Sequence, residues 1–352
     1  MSSGNRKLFA QANPAKGREG IYALLAFYFF GYGGKVFKMV LLNAVQSVLS
    51  IIIMLVMGWL MAHKGWFDER TPKLLTRLVV NVALPLYMIS NIMGTYNKED
   101  LLNLGVGLII PFLVMGATYG ISIPVSLALK VPEGRRGTFR SMFALSNTIF
   151  VGLPVNLALF GEESLPNVLL YYIANTTLFW TIGVYGIGRD GSGGGDKFFS
   201  KASIKRIFSP PLTGFLLSVV MVLLEIKLPK SVMDTCRYMG NLTTPLSMLF
   251  IGMIIHSIKL KEIKPSKDMF VLLAGRFLLA PAIVFLICRF IPIPPLMQKV
   301  FIIQAAMPAM TQTSIIAKTY GADEKYAAVM TAVTTVVSLV FIPFYMLILG
   351  NL

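Results

Sequence analysis

The sequence predicts an all-α membrane protein of ten transmembrane helices in two inverted five-helix repeats, and three observations predict it. Of the 352 residues, 55% are apolar and only 14% charged, with a mean hydropathy of +0.71, far from the balance of a soluble domain. Apolar windows near the ~20 residues needed to cross a bilayer recur along the chain. The second half also repeats the pattern of the first at one fixed offset.

The windows predict spans at roughly 40–61, 73–93, 101–129, 138–160, 167–188, 208–226, 236–257, 269–290, 298–320 and 326–349. No stretch remains for a separate soluble domain, which argues against a receptor or sensor with an appended catalytic module. Lys64, Arg70, Lys73 and Arg77 flank the first loop, and Lys130, Arg135, Arg136 and Arg140 the third. The second is short and holds Lys98, Glu99 and Asp100. Odd loops are therefore expected in the cytoplasm. The glycine-rich connection 189–206, with Lys197, Lys201, Lys205 and Arg206, reads as a flexible basic cytoplasmic linker between repeats at 39–188 and 207–352. Five spans per half is an odd number, so the halves enter the membrane from opposite sides. Residues 1–38 form a basic extension around the short apolar stretch Ile21–Phe30, which reads as an interfacial helix, an additional short crossing or an upstream extension.

Topology accounts for the excess of 32 Lys and Arg over 16 Asp and Glu, so no nucleic-acid partner is expected: no basic run is interleaved with aromatics. Cys236 and Cys288 read as packing residues, with no CxxC and no histidine at ligand spacing. No metal or cofactor is implied.

Shifting the chain by 160 residues places Asn241, Pro245, Leu246 and Met248 on Asn81, Pro85, Leu86 and Met88, and Gly321 on Gly161. The shared register of span boundaries points to an inverted-topology duplication, a construction common in secondary transporters. Pro85 and Pro245 cannot bond the carbonyls of Asn81 and Asn241, so each helix is expected to kink and offer a carbonyl to a neighbouring helix, a water or a ligand.

Span four carries Ser146, Asn147 and Thr148 about 12 Å into a helix roughly 33 Å long, followed by Gly152 and Pro154. Its repeat mate, span nine, carries Pro308 and then Thr311, Gln312, Thr313 and Ser314. Breaks at both places would leave half-helix N-termini, with oriented N–H groups, facing an anion near mid-membrane. Substrate binding is accordingly expected from Asn147, Thr148, Gly152, Pro154, Pro308, Thr311, Gln312, Thr313 and Ser314. Asn175, on span five, and Thr335, on the Thr331–Thr334–Thr335–Ser338 face of span ten, differ again by 160 and are read as supporting them, as are the kink residues Asn81, Pro85, Asn241 and Pro245. His256 and Arg276 read as side chains snorkelling to the interface, although an Arg276 turned into a cytoplasmic vestibule would attract anions.

No carboxylate falls in the middle third of any predicted span, so no carboxylate proton relay or sodium site is visible, while backbone carbonyls and neutral amides remain able to hold sodium. The chain has no Walker A loop, no His-Glu-x-x-His pair, no acidic prenyl-diphosphate motif and no Gly-x-Ser-x-Gly elbow, which argues against an ATP-driven pump or an intramembrane enzyme.

Asn81-x-x-x-Pro85-Leu, Ser209-Pro-Pro-Leu212, Thr244-Pro245-Leu246, Phe150-Val-Gly-Leu-Pro154, Ala306-Met-Pro308-Ala and the closing run Ala327 to Thr335 together resemble the auxin efflux carrier family in its compact prokaryotic form, over about residues 40 to 350. The resemblance implies a fold similar to bile-acid symporters and sodium/proton antiporters. In it, broken helices four and nine cross at Asn147–Pro154 and Pro308–Ser314, spans one, two, six and seven form a scaffold, and the rest move as a unit. The Asn-Pro-Asn-Thr-Tyr type crossover of the plant carriers is not reproduced, since Asn147-Thr148 runs into Ile-Phe and Pro308 into Ala-Met. A small carboxylate such as malate or malonate is therefore expected ahead of auxin. The expected protein is a secondary transporter of a small organic anion, monomeric or homodimeric, in a bacterial cytoplasmic (inner) membrane. The alternatives are a sodium- or proton-coupled symporter of the bile-acid type and a non-transporting receptor or scaffold.

Overall fold

A computed structural model describes residues 49–68, 70–99, 105–191, 207–257, 263 and 265–349. The basic N-terminal extension, the start of the first predicted span and nearly all of the central linker lie outside the described residues. Those described form helices α1 (Leu49–His63), α2 (Thr71–Thr95), α3 (Ile109–Ala128), α4 (Arg136–Ala144), α5 (Thr148–Phe160), α6 (Glu162–Asp190), α7 (Pro210–Leu223), α8 (Lys230–His256), α9 (Lys267–Phe290), α10 (Pro295–Ala305), α11 (Gln312–Tyr320) and α12 (Glu324–Leu349). Six of these, α2, α3, α6, α8, α9 and α12, are long and apolar enough to cross a membrane. At 1.5 Å per residue, α4 and α5 are only about 14 and 20 Å long, so either alone falls short of a ~30 Å hydrocarbon core and the two in series match it.

The distribution of side chains is that of a protein dissolved in lipid. Leu113, Leu217, Phe285 and Val340 stand exposed, whereas Ser122, Ser141, Asn156, Asn175, Gln304 and Thr334 are buried. Polar groups that would be costly in hydrocarbon are gathered where other helices can bond them.

Two groups of helices result. α2 packs on α7 and α8, and α8 on α1 through Gly252 and Gly58; α3, α4, α6 and α9 to α12 pack among themselves, and α5 lies between the groups, against α6 and α10 on one side and α8 on the other, where Phe150 meets Phe250. Glycine sets the spacing in the first group. A Cβ on Gly214 would lie 2.7 Å from the Pro85 backbone, one on Gly240 2.7 Å from Tyr87, and one on Gly252 2.2 Å from the Leu55 carbonyl, the small-residue contact that lets membrane helices approach closely.

The prolines produce a different local structure from simple kinks. Pro85, Pro154 and Pro281 each stand two residues beyond a π-turn, at Val79–Ala83, Thr148–Gly152 and Gly275–Leu279. In each turn an N–H reaches back five residues: Leu84 to Val79, Gly152 to Asn147 and Ala280 to Gly275. The wide turn moves the carbonyl four residues before the proline out of the ring's way, so the helix continues. One such carbonyl, on Phe277, accepts the Tyr345 hydroxyl at 2.6 Å. Pro245 uses another device: α8 loosens at the turn Asn241–Leu242, both residues keeping right-handed helical angles. The two Asn-x-x-x-Pro segments, alike in sequence, thus differ in structure. The side chains of Asn81 and Asn241 are exposed, and those of Pro85 and Pro245 half-buried.

Candidate functional site

Helix α4 stops at Ala144, and Leu145 to Asn147 leave the helical conformation before α5 begins. Helix α10 stops at Ala305, and α11 begins at Gln312. The two interruptions lie side by side. Ser146 and Ala309 form an antiparallel bridge, and the Asn147 N–H donates to the Pro308 carbonyl at 2.8 Å. Residues 141–156 and 301–310 are buried throughout, so every main-chain group exposed by the breaks needs a partner inside the protein.

Neighbouring helices supply them. The Asn175 amide on α6 grips Ser146 twice, its Oδ1 accepting the Ser146 N–H and its Nδ2 donating to the Ser146 carbonyl, both at 2.9 Å. On the other strand the Ala309 N–H donates to Thr334 Oγ1 on α12 at 3.1 Å. The sequence pointed to Thr335, but its hydroxyl bonds back to Thr331 in its own helix; the rotation of α12 turns the preceding threonine toward the break.

Asn147 joins the two halves. Its Oδ1 accepts the Phe150 N–H at 3.1 Å, capping α5, and its Nδ2 donates to Thr311 Oγ1 at 2.9 Å. Gln304 on α10 donates to the Thr148 carbonyl at 3.3 Å.

Beside this junction lies a cavity of about 380 Å³, within the range of small-molecule sites. Asn147, Thr148, Thr311 and Gln312 line it from the two breaks. Gly152, Pro154, Pro308, Thr313 and Ser314 are not part of that lining. Gly152, Pro154, Pro308 and Thr313 are buried, and Ser314, half-buried, bonds Thr331 at 2.9 Å. The remaining wall comes from Ile149, Phe150 and Met310 beside the breaks, Val80 and Leu84 of α2, Tyr172, Thr176 and Trp180 of α6, and Phe208 to Pro211 at the start of α7. Tyr172 and Ser209 share a hydrogen bond of 2.7 Å between the two helix groups. Tyr172 and Trp180 were missed because nothing local distinguishes them from other apolar-helix aromatics; their one signal is the polar run Asn175-Thr176-Thr177 between them.

No charged side chain lines the cavity. The N-terminal turns of α5 and α11 do, and their dipoles present positive ends to it. Arg276, read from sequence as snorkelling, is instead completely buried, because its helix face packs against α4. It donates to the Ala144 carbonyl at 2.7 Å. His256 is exposed and meets Trp59 and His63, themselves stacked on each other, edge-on at the ends of α1 and α8. Among the described residues, no group of three His, Cys, Asp or Glu side chains is arranged to hold a metal ion.

A family model described as membrane transport protein matches residues 43–193 and 197–346. A protein of Methanocaldococcus jannaschii described as an uncharacterized transporter is 27% identical over 312 residues, covering 86% of this chain and 98% of that protein. A second, from Methanothermobacter thermautotrophicus and described in the same words, is 25% identical over 316 residues, covering 88% and 100%.

Proposed function

Because the chain belongs to the membrane transport protein family, that of the auxin efflux carriers, we propose that it is a secondary transporter that moves a small organic anion by alternating access. The observation that carries the reading is the junction of the two interrupted segments, Ser146 against Ala309, beside a cavity that two helix N-termini face and no charged side chain lines. A carboxylate entering it meets oriented N–H dipoles and the neutral polar side chains of Asn147, Thr148, Thr311 and Gln312. Such a site favours negative charge and binds weakly enough to release its load.

The architecture we propose is ten membrane crossings in two inverted repeats, with α4–α5 and α10–α11 as the broken crossings and the loop between α6 and α7 in the cytoplasm of a prokaryotic cell. The group α1, α2, α7 and α8 serves as scaffold. The other group slides against it with the cavity at the seam, and export of an anion is favoured by about 2.3 kcal/mol per charge per 100 mV of inside-negative potential. Its substrate is a small carboxylate of the malate or malonate kind.

Reconstitution in proteoliposomes with radiolabelled malate, malonate and indole-acetate tests this. Counterflow of at least one carboxylate is expected, reduced tenfold or more by Asn147→Ala and by Gln312→Ala. Vesicles indifferent to every carboxylate would defeat the anion assignment, and tight binding without counterflow would favour a receptor.

A further inference from the structure

Arg276 is the one charged side chain that is fully buried among the described residues. Its Nη2 donates to the Ala144 carbonyl at 2.7 Å, while Nε and Nη1 have no hydrogen-bond partner. None of the salt bridges among the described residues reaches it. A buried charge without a carboxylate is costly, and its retention calls for a reason.

The position supplies one. Ala144 ends α4, where the last carbonyls of a half-helix lack partners and carry the negative end of its dipole toward the junction. In carriers built from broken helices, such carbonyl ends are where a sodium ion can be held. The guanidinium is also held in place. A Cβ on Gly275 would lie 1.9 Å from the Phe143 ring, so α9 and α4 are in direct contact. On the other side Phe277 stacks on Phe341 at 4.8 Å between centroids, and its carbonyl accepts the Tyr345 hydroxyl.

We propose that Arg276 is a permanent counter-cation of the junction. Its guanidinium occupies the place at the end of α4 that a coupling cation would otherwise fill. It cancels the negative dipole end there, leaves the two positive ends at the cavity unopposed, and makes the junction independent of sodium. It is a positioning residue, acting through the Ala144 carbonyl rather than on the cargo. This deepens the anion-carrier reading and rests on it.

The test is thermal unfolding of the purified full-length protein in sodium, potassium, millimolar guanidinium or choline chloride, at equal ionic strength and without substrate. Wild type is expected to melt at the same temperature in all four. Arg276→Ala is expected to melt lower in choline and to regain most of the lost Tm in guanidinium or sodium. Arg276→Lys is expected to stay insensitive to the cation. Where Arg276→Ala yields no folded protein, Arg276→Gln, which keeps a donor without the charge, takes its place and is judged by the same outcomes. Sodium stabilisation of wild type, or a neutral variant that responds to none of the cations, overturns the proposal. Since this readout needs no cargo, absence of carboxylate flux would sink the carrier reading and leave this result standing on its own.

Discussion

Gly152 has no room for a side chain, and the reason lies across the junction. A Cβ there would come within 2.3 Å of Gln304 Oε1, and Gln304 is fully buried with its amide donating to Thr148. The backbone of Gly152 has ordinary helical angles, so the requirement is steric and depends on the partner. Gly152→Ala is expected to destabilise by about 1–3 kcal/mol, the usual cost of forcing atoms into a packed core. Gln304→Ala in the same chain is expected to restore part of it, because the space is then vacant. Urea or thermal unfolding of the two single variants and the double variant measures the coupling; strictly additive losses would show that Gly152 matters for another reason. The glycine was legible in the sequence as part of a weak point in span four. Gln304 was not, because its role appears only when α10 lies against α5.

At the scale of elements, the two breaks persist because α6 and α12 bond the main chain that the missing helical turns leave bare. Asn175 satisfies both an N–H and a carbonyl of Ser146, whereas Thr334 satisfies only the Ala309 N–H. The two supports are therefore unequal. Asn175→Ala leaves two buried main-chain groups unpaired and is expected to cost about 2–5 kcal/mol, and Thr334→Val, which leaves one, about 1–3 kcal/mol. Asn175→Asp keeps the acceptor for the Ser146 N–H but turns a buried, unpaired carboxylate oxygen on the Ser146 carbonyl, and is expected to cost at least as much as Asn175→Ala. Thermal unfolding in detergent ranks the three, and equal losses at Asn175 and Thr334 would contradict the unequal support. Asn175 was visible as a polar residue in an apolar span at the same offset as its counterpart. Its contact with Ser146 and the use of Thr334 in place of Thr335 were not, since one residue along a helix is a rotation of about 100° that only packing sets.

For the molecule as a whole, the two helix groups meet through a cavity at one level and a polar tie at another, besides the packing of α8 on α5 and α12. Val80 and Leu84 of α2 and Ser209 to Pro211 of α7 line the cavity. Farther along α2, Tyr87 and Asn91 both donate to Glu162 Oε2 at the start of α6, and Tyr96 donates to the Glu163 carbonyl at 3.0 Å. If the groups slide past one another in transport, this tie holds one face shut while the cavity opens to the other. Tyr87→Phe combined with Asn91→Ala is expected to remove about 1–2 kcal/mol from that state and so raise the opposite-facing population roughly 5–30-fold. Labelling of Gln312→Cys by a membrane-impermeant maleimide from each side of sealed vesicles reports the shift. Unchanged sidedness would show that the tie does not select the state.

The sequence by itself determined that this is a helical membrane protein of a transporter family, and that spans four and nine are interrupted, expected at Asn147–Pro154 and Pro308–Ser314, whereas the breaks lie at 145–147 and 306–311. Apolar composition, span length and the chemistry of Gly and Pro act over a few residues, so they can be read without a partner. Tertiary structure decided which polar groups line the cavity and which lie behind it, that Tyr172, Thr176 and Trp180 of α6 complete its wall, and that Arg276 caps α4 inside the protein rather than reaching for its surface. Those are consequences of helix rotation and of contacts between residues 25 to 164 positions apart. They arise when the two halves bury their polar groups against each other, because lipid provides no other partner for them.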